Sequence, residues 1–220
     1  MRIIVTAGPT REHLDPVRFL SNPSTGKMGF AIAAEAARRG HAVTLVAGPV
    51  ALKTPKGVER VDVVSAREML AAVRGALSAP AAESGGGTVM VATAAVADWR
   101  PAKCAARKLK KGEMSGVLKL VRNPDILKTV AKARGRKTGD LRLVGFAAET
   151  NDVLKEAARK CREKGLEFIV ANDVTRRGCG FGTDTNRVTF VFPDGTLKRF
   201  PLMTKRMVAK RILEEIENEK

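Results

Sequence analysis

The residues Arg2-Ile3-Ile4-Val5-Thr6-Ala7-Gly8 give the first indication of the fold class, because they are mostly apolar and end at a glycine. A short apolar run closed by glycine is typical of a buried strand. Further on, apolar residues recur at helical spacing. We predict a strand at residues 2–8 and then a helix that begins near Thr25, with Ser24 as its N-cap and Gly40 as its end.

The rest of the chain repeats this alternation of strands and helices. Further strands are predicted at 42–47, 61–64, 89–97, 117–121, 141–147 and 167–171, and a hairpin joins 188–192 to 197–200. Helices are predicted at 66–77, from Pro124 with Asn123 as cap, at 151–164, and after Thr204 as cap, whereas 9–23 and 100–116 are predicted loops and 78–88 a linker. Alternating strands and helices indicate a parallel sheet covered on both faces, which binds ligands at the carboxyl ends of its strands.

The composition points to an anionic partner. The chain has 40 Lys and Arg against 23 Asp and Glu, a formal net charge of +17. Nucleic acid, nucleotides and phosphorylated metabolites all fit such a charge. Single-strand binders usually stack bases on exposed aromatic residues. Aromatic residues are only 4% here and tyrosine is absent, which favours a small anionic ligand over nucleic acid.

The sequence also predicts a cytoplasmic protein without a membrane span. No apolar run reaches the roughly 18–20 residues that a spanning helix needs, and the N-terminus lacks the pattern of a signal peptide. The three cysteines, Cys104, Cys161 and Cys179, form no CxxC pair. We therefore interpret them as reduced thiols rather than as a disulfide framework or a zinc site.

The first candidate site follows the first strand, at residues 8–10, 15–18 and 21–29. A strand, a loop and a helix N-terminus in this order present free backbone N–H groups and a positive dipole end to an anion. Gly26 and Gly29 would let a phosphate approach closely. The pattern is neither GxGxxG nor a Walker loop, so a nucleotide site and an ordinary glycine-rich turn both remain open.

Other candidate residues lie at the ends of later elements. Asp98 follows a run of small residues at 92–97, either as a ligand-facing carboxylate or as a cap. The basic run 108–111 is either a solvated surface or a mobile loop that reaches a polyphosphate. Lys160 and Lys164 lie four residues apart on a predicted helix, so an anion between them or simple snorkelling explains their placement.

Taken together, these segments resemble the phosphopantothenoylcysteine synthetase family. Three more segments contribute to the resemblance: Asn-Pro-Asp-Ile-Leu at 123–127, Gly-Phe-Ala-Ala-Glu-Thr at 145–150 and Ala-Asn-Asp at 171–173. The resemblance implies an α/β, Rossmann-like parallel-sheet sandwich with helices on both faces. It implies a single domain over 1–220, with a C-terminal hairpin at 173–202 as dimerisation arm. It also implies a ligase in coenzyme A biosynthesis that joins 4'-phosphopantothenate to L-cysteine through an acyl-cytidylate and releases CMP and pyrophosphate.

The same resemblance implies CTP as co-substrate, Mg²⁺ dependence and a homodimer, while an ATP-using version stays open. Bacterial members are usually fused to a flavin-dependent phosphopantothenoylcysteine decarboxylase. If the two are not fused, such a decarboxylase is the expected separate partner. No nucleic-acid or membrane partner is implied.

The resemblance also assigns site residues. Nucleotide positions of the CTP-using branch fall on Ala92, Thr93, Ala94, Asp98, Lys108, Pro124, Asp125, Ile126, Leu127, Phe146, Lys160 and Lys164. Nucleotide positions of the ATP-using relatives fall on Gly8, Ser24, Gly26, Gly29 and Asn172. Phosphopantothenate positions fall on Asn22, Ala94, Ala95 and Asp98, with Arg18 supplied across the dimer. The catalytic roles implied are charge stabilisation by Lys108 and by Mg²⁺ held at Asp98 in the first step, and an oxyanion hydrogen bond from Asn22 in the second.

Two rival functions remain at this point. A nicotinamide-dependent oxidoreductase would carry GxGxxG after the first strand, whereas this strand leads into Gly8-Pro9-Thr10. A basic nucleic-acid-binding module would instead explain the net charge.

Overall fold

The computed structural model describes residues 1–79, 87–113, 116–133, 141–149, 153–173 and 178–218. Most of the predicted linker, the first two residues of the predicted helix at 151–164, and residues 174–177 of the predicted arm lie outside these ranges. The helices within them are α1 (Lys27–Arg38), α2 (Ala66–Ser78), α3 (Ile126–Ala133), α4 (Val153–Glu163) and α5 (Lys205–Asn218). The strands are β1 (Arg2–Ala7), β2 (Arg11–His13), β3 (Phe19–Ser21), β4 (Ala42–Ala47), β5 (Val58–Asp62), β6 (Thr88–Ala92), β7 (Trp99–Pro101), β8 (Leu120–Arg122), β9 (Leu141–Glu149), β10 (Phe168–Asp173), β11 (Thr185–Asn186), β12 (Val188–Val191), β13 (Leu197–Arg199) and β14 (Met203–Thr204).

Eight of these strands form one sheet in the order β13-β12-β10-β9-β6-β1-β4-β5. The six strands from β10 to β5 are parallel, whereas β12 runs antiparallel to β10 and β13 antiparallel to β12. The chain starts in the middle of the sheet, builds β4 and β5 on one side, and then crosses back to build β6, β9 and β10 on the other. This doubly wound order opens a crevice at the carboxyl ends of β1 and β6, where the winding direction reverses.

Helices cover both faces of the sheet, as the sequence predicted. On one face, α1 and α5 pack over Ile3, Val5 and Val91, among other buried residues. On the other face, α2, α3 and α4 pack over a second buried cluster that includes Met90 and Leu143. Side chains that alternate along each strand supply the two clusters, which explains why the central strands are apolar on nearly every residue.

Two predicted helix caps are wrong. Gly26, with φ of 77°, is the N-cap of α1 and offers no side chain, while Ser24 lies two residues earlier and its hydroxyl accepts a 3.4 Å bond from the Gly26 N–H. Asp125 rather than Asn123 caps α3, because its Oδ1 accepts from the Lys128 N–H at 2.9 Å. Asn123 and Asp125 both carry side chains that can cap a helix. The Asn123 side chain instead donates to the Ala97 carbonyl oxygen, which leaves Asp125 as the cap.

Several strand boundaries also differ from the prediction. The strand predicted at 89–97 is β6 and ends at Ala92, because the following small residues leave the ladder and line the crevice. The strand predicted at 61–64 is β5 at Val58–Asp62, an edge strand with charged residues that need no apolar pattern. The predicted loop at 9–23 contains the β2–β3 hairpin, and the predicted strand at 117–121 is β8, which pairs with β7.

The C-terminal hairpin forms as predicted and extends the central sheet of its own chain, since β12 pairs with β10. Thr204 caps α5 as predicted, with its hydroxyl accepting from the Met207 N–H at 3.2 Å. The dimerisation role predicted for 173–202 stays a prediction. Within the described ranges, no helix is both long and apolar enough to cross a bilayer.

Candidate functional site

The crevice between β1 and β6 is built from small residues whose backbone is fixed by hydrogen bonds. The Thr93 N–H and hydroxyl both donate to the Thr6 carbonyl oxygen, at 3.2 and 2.6 Å. The Ala95 N–H donates to the carbonyl oxygen of Gly8 at 2.9 Å. Because the two strand ends are tied together in this way, the segment after β6 runs beside Gly8 with no bulky side chain to fill the space.

Helix α1 meets this crevice at unusually close range because of Gly29. A Cβ atom on Gly29 would lie 2.5 Å from both the Ala7 Cβ and the Thr93 Oγ1. Glycine at this position therefore lets the helix press its N-terminal turn onto the ends of β1 and β6. The N-terminal N–H groups and the positive end of the helix dipole consequently face the crevice.

We expect Gly29→Ala to destabilise the protein by about 1–3 kcal/mol, because the new methyl group has no room. The matched control is Gly75→Ala in α2, where an added Cβ would meet nothing within 4 Å. That control should be more stable than the unaltered chain by up to about 1 kcal/mol, since glycine is a poor helix former. Urea denaturation followed by circular dichroism compares the two. Equal stability of both variants would contradict the close packing of α1.

A cavity of about 530 Å³, measured with its open mouth, lies beside this helix N-terminus at the carboxyl ends of β6, β9 and β10. Six residues predicted as nucleotide positions line it: Ser24, Gly26, Gly29, Thr93, Phe146 and Asn172. They come from four separate stretches of the chain, so the fold brings together residues that the sequence only suggested.

The walls of this cavity suit a ligand with both anionic and hydrogen-bonding groups. Lys27 and Lys205 line it and supply positive charge. Among the described residues, the carboxamide oxygens of Asn172 and Asn186 are buried without a hydrogen-bond partner, and both residues line the cavity. Buried acceptors of this kind normally have a donor, such as a water molecule or a ligand group.

Lys205 and Asn186 are cavity residues that the sequence did not single out. Lys205 is 6% exposed, and its ammonium group donates to the carbonyl oxygens of Gly180, Phe181 and Thr183 at 3.3, 3.2 and 2.6 Å. Burial, aided by the nearby charge of Lys27, lowers the pKa of Lys205. In the sequence, Lys205 is merely the first residue of a helix after its cap, where an exposed lysine is the ordinary expectation.

The segment that contains Gly180 and Phe181 closes one side of the cavity. The Thr25 hydroxyl donates to the Phe181 carbonyl oxygen at 2.8 Å, and the Lys27 ammonium pairs with Asp184 at 2.7 Å. The segment predicted as part of a dimerisation arm is thus also held against α1 of its own chain.

Asn22 lies at the crevice beside the segment that follows β6. Its Nδ2 donates to the Ala95 carbonyl oxygen at 3.0 Å, which joins two predicted substrate positions. Asp98 is exposed, and its carboxylate makes no hydrogen bond or ion pair with another described residue. Nearby, the Asn123 side chain donates to the Ala97 carbonyl oxygen at 2.8 Å and fixes the end of the small-residue segment.

A second group of predicted residues gathers around the start of α3. Asp125 pairs with Lys164 at 2.8 Å, so at least one of the two lysines has a carboxylate partner. Burial opposes ionisation of Asp125, but the Lys128 N–H and the Lys164 ammonium outweigh it and lower its pKa. Ile126 belongs to the buried cluster on this face of the sheet, and Ala94 and Leu127 are partly buried against that cluster. Ala92 packs there too, while Pro124 and Lys160 are half-buried.

Lys108 lies in the basic loop, exposed to solvent, and its ammonium makes no bond to any other residue that the structure describes. Arg18 is tied inside its own chain, where Nε and Nη2 donate to Asp15 Oδ2 at 3.0 and 2.5 Å. Its side chain is still 38% exposed. The structure therefore places Arg18 next to the basic loop rather than in the cavity of the same chain.

Together, the strand order and the crevice define a doubly wound α/β domain whose ligand site lies at the switch point of the sheet. The chain belongs to the family of DNA/pantothenate metabolism flavoprotein C-terminal domains, whose family model matches residues 1–219. The family-level resemblance predicted from the sequence is thereby confirmed.

Known relatives agree with this assignment. The coenzyme A biosynthesis bifunctional protein CoaBC of Escherichia coli (strain K12) is 47% identical over 219 residues, which cover 98% of this chain and 51% of the relative. The chain thus spans about half the length of the curated relatives it matches. A crystal structure of the C-terminal domain of CoaBC superposes with a TM-score of 0.79 at 42% identity, covering 98% of this chain and 93% of that chain. A Cab2 mutant in complex with phosphopantothenate-cysteine has a TM-score of 0.77 at 15% identity, covers 98% and 86% of the two chains, and shares the fold alone.

Proposed function

We propose that this chain is a ligase that joins 4'-phosphopantothenate to L-cysteine, with CTP as the activating nucleotide. The observation that carries the proposal is the cavity at the carboxyl ends of the parallel strands, because six predicted nucleotide positions line it in a member of this family. Membership fits a role in coenzyme A biosynthesis, the process for which the CoaBC relatives are named.

The proposed reaction has two steps. In the first, a carboxylate oxygen of phosphopantothenate attacks the α-phosphorus of CTP, and the bond to the β-phosphate breaks to release pyrophosphate. In the second, the cysteine amine attacks the acyl carbon of the acyl-cytidylate, an amide forms, and CMP leaves as the amine loses a proton. The exposed ammonium of Lys108 suits the first step, because negative charge accumulates on the phosphates as that bond breaks.

Asn22 suits the second step. Its Nδ2 already donates to the Ala95 carbonyl oxygen at the rim of the crevice, so its carboxamide is oriented by the protein before any substrate arrives. A preorganised N–H donor stabilises the oxyanion that develops on the acyl oxygen. We assign Asn22 to that role, next to the phosphopantothenate positions Ala94, Ala95 and Asp98.

The residues present fit a magnesium ion that is shared with the nucleotide. Among the described residues, no three acidic, histidine or cysteine side chains gather into a metal cluster. Mg²⁺ at nucleotide sites is commonly held by one or two carboxylates plus phosphates, and the exposed carboxylate of Asp98 would supply one. Bound there, the ion would offset charge on the phosphates.

The test is pyrophosphate release in the presence of CTP, phosphopantothenate and cysteine, repeated with ATP in place of CTP. We expect release with CTP that depends on phosphopantothenate and on Mg²⁺. Faster release with ATP would move the protein to the ATP-using alternative. No release with either nucleotide, together with a salt-sensitive gel shift of random oligonucleotides, would favour the nucleic-acid-binding alternative instead.

We also propose that the protein is a homodimer, joined through the two small hairpins β2–β3 and β7–β8. Exposed apolar side chains gather there, including Phe19 at 39%, Trp99 at 45% and Leu120 at 40% exposure. Aromatic residues are enriched in protein interfaces. Arg18 directly precedes β3. A partner protomer bound on this face would therefore have the Arg18 guanidinium at the edge of the partner's ligand site, as the resemblance implies.

We expect Phe19→Ser combined with Trp99→Ser to convert the dimer into monomers in light scattering. The matched control is Leu202→Ser, which removes an equally exposed apolar residue from the predicted arm at 173–202. If Leu202→Ser gives monomers and the hairpin variant stays dimeric, the arm rather than the hairpins forms the interface.

The product of the proposed reaction carries a free carboxylate from cysteine. We propose that a flavin-dependent decarboxylase, fused or separate, removes it. The bifunctional nature and double length of the relatives support this order.

A further inference from the structure

The basic loop that carries Lys108 is fastened to the β2–β3 hairpin by one buried carboxylate. The Asp15 side chain is fully buried. Its Oδ1 accepts from the backbone N–H groups of Val17 and Arg18 at 2.9 and 2.8 Å, which forms a turn within the hairpin. Its Oδ2 accepts from the Arg18 guanidinium and, at 3.2 Å, from the N–H of Leu109.

Leu109 is held at both of its backbone polar groups. Its N–H donates to Asp15, and its carbonyl oxygen accepts from Arg18 Nη2 at 2.9 Å. A second tie lies four residues earlier, where the Ala105 N–H donates to the Leu14 carbonyl oxygen at 2.8 Å. Lys108 lies between these two ties, directly next to Leu109, so its backbone has little freedom although its ammonium is exposed.

Charge explains why such a tie is needed. Residues 103–111 contain five cationic side chains and no acidic residue, so their mutual repulsion opposes any compact arrangement of the loop. The Arg18 guanidinium holds the pKa of the Asp15 carboxyl well below its usual range. The carboxylate therefore stays ionised and supplies a buried negative charge at the base of this cationic loop.

We infer that Asp15 is a positioning residue for Lys108: it holds the loop so that the Lys108 ammonium is presented to the triphosphate in the first step. The inference rests on the proposed function, because it needs Lys108 to act in nucleotide activation. Asp15 itself touches no reacting atom, and Arg18 shares the tie from the other side of Leu109.

Asp15→Asn should disrupt the hydrogen bond to the basic loop while keeping the turn of the hairpin. The carboxamide oxygen can still accept from Val17 and Arg18, whereas the new NH₂ group faces the N–H donors of Arg18 and Leu109. The matched control is Glu12→Gln, which neutralises another buried carboxylate of the same hairpin. Glu12 is 3% exposed and accepts from the Ala66 N–H at 2.9 Å, at the start of α2.

The experiment measures the pyrophosphate burst with CTP and phosphopantothenate in four forms: unaltered, Asp15→Asn, Lys108→Gln and the double variant. We expect Asp15→Asn to slow the burst by about 10- to 100-fold, as misplacement of a catalytic group does. The double variant should be no slower than Lys108→Gln alone, because Asp15 acts through Lys108. Glu12→Gln should keep the unaltered burst. Effects that multiply in the double variant, or a normal burst in Asp15→Asn, would overturn the inference.

Limited trypsin digestion gives a second readout that needs no activity. Cleavage within residues 103–111 should be faster in Asp15→Asn than in the unaltered chain, and unchanged in Glu12→Gln. If the cleavage rate is the same in all three, the tie does not hold the loop and the inference fails. If cleavage of the loop becomes faster as expected but the unaltered chain releases no pyrophosphate, the proposed function is wrong. The role of Lys108 in nucleotide activation is then wrong as well.

Discussion

Asn22→Asp should form the acyl-nucleotide but turn over poorly with cysteine. The substitution replaces an N–H donor by a carboxylate at the rim of the crevice, where the carboxamide now donates to the Ala95 carbonyl oxygen. Loss of one oxyanion donor raises a barrier by roughly 2.7–4 kcal/mol, or about 100- to 1,000-fold in rate. The added negative charge opposes the developing oxyanion as well.

The two half-reactions can be measured separately for this variant. Pyrophosphate release in a single turnover should stay close to that of the unaltered chain, while product formation with cysteine collapses. Mass spectrometry of the quenched reaction should then show accumulated acyl-cytidylate. Asn218→Asp makes the same change at an exposed residue near the end of α5 and should leave both steps unaltered. Normal turnover by Asn22→Asp would remove Asn22 from the mechanism.

Lys108→Gln should have the opposite signature, a slow first step. Its ammonium is exposed and has no carboxylate partner in the described part of the chain, so its charge is available to a polyphosphate. Removing a group that stabilises developing charge costs about 100-fold or more. The burst of pyrophosphate should slow by that factor, whereas synthetic acyl-cytidylate, added directly, should react with cysteine at the usual rate.

A charge-matched control tests whether the position or merely the net charge matters. Lys111→Gln removes a cation from the same loop, three residues later and within a short 3₁₀ turn at Lys111–Glu113. We expect it to change the burst by less than about threefold, because Lys111 is exposed and a solvated charge is screened by salt. If the two variants are slowed equally, the loop acts as a diffuse cationic surface and Lys108 has no particular role.

Local patterns were enough to predict most elements of this fold. Strand β4 occupies the predicted residues 42–47, and α2 begins at the predicted Ala66, where Ser65 accepts from the Glu68 N–H. These predictions succeed because apolar periodicity and capping act over a few residues. Prediction failed where a short-range signal was ambiguous, as with the choice of Asn123 over Asp125 as the cap of α3.

Some residues of the candidate site could also be predicted from the sequence, whereas others could not. Glycines and small residues at strand ends marked the crevice in the sequence, and Gly26, Gly29 and Thr93 line the cavity. Lys205 gave no such signal, because a lysine in the first turn of a helix is ordinarily solvated. Its buried position depends on carbonyl groups more than 20 residues earlier in the chain.

The α/β class, the sheet with helices on both faces, and the family all follow from apolar periodicity and from motifs read in order along the chain. The position of β1 between β4 and β6, and with it the place where the crevice opens, is visible only in the folded chain. The folded chain alone shows that Asp15 holds Leu109, 94 residues away. The physical reason is that periodicity reports which face of an element is buried, whereas the partner that buries it is chosen by packing and charge across the whole chain.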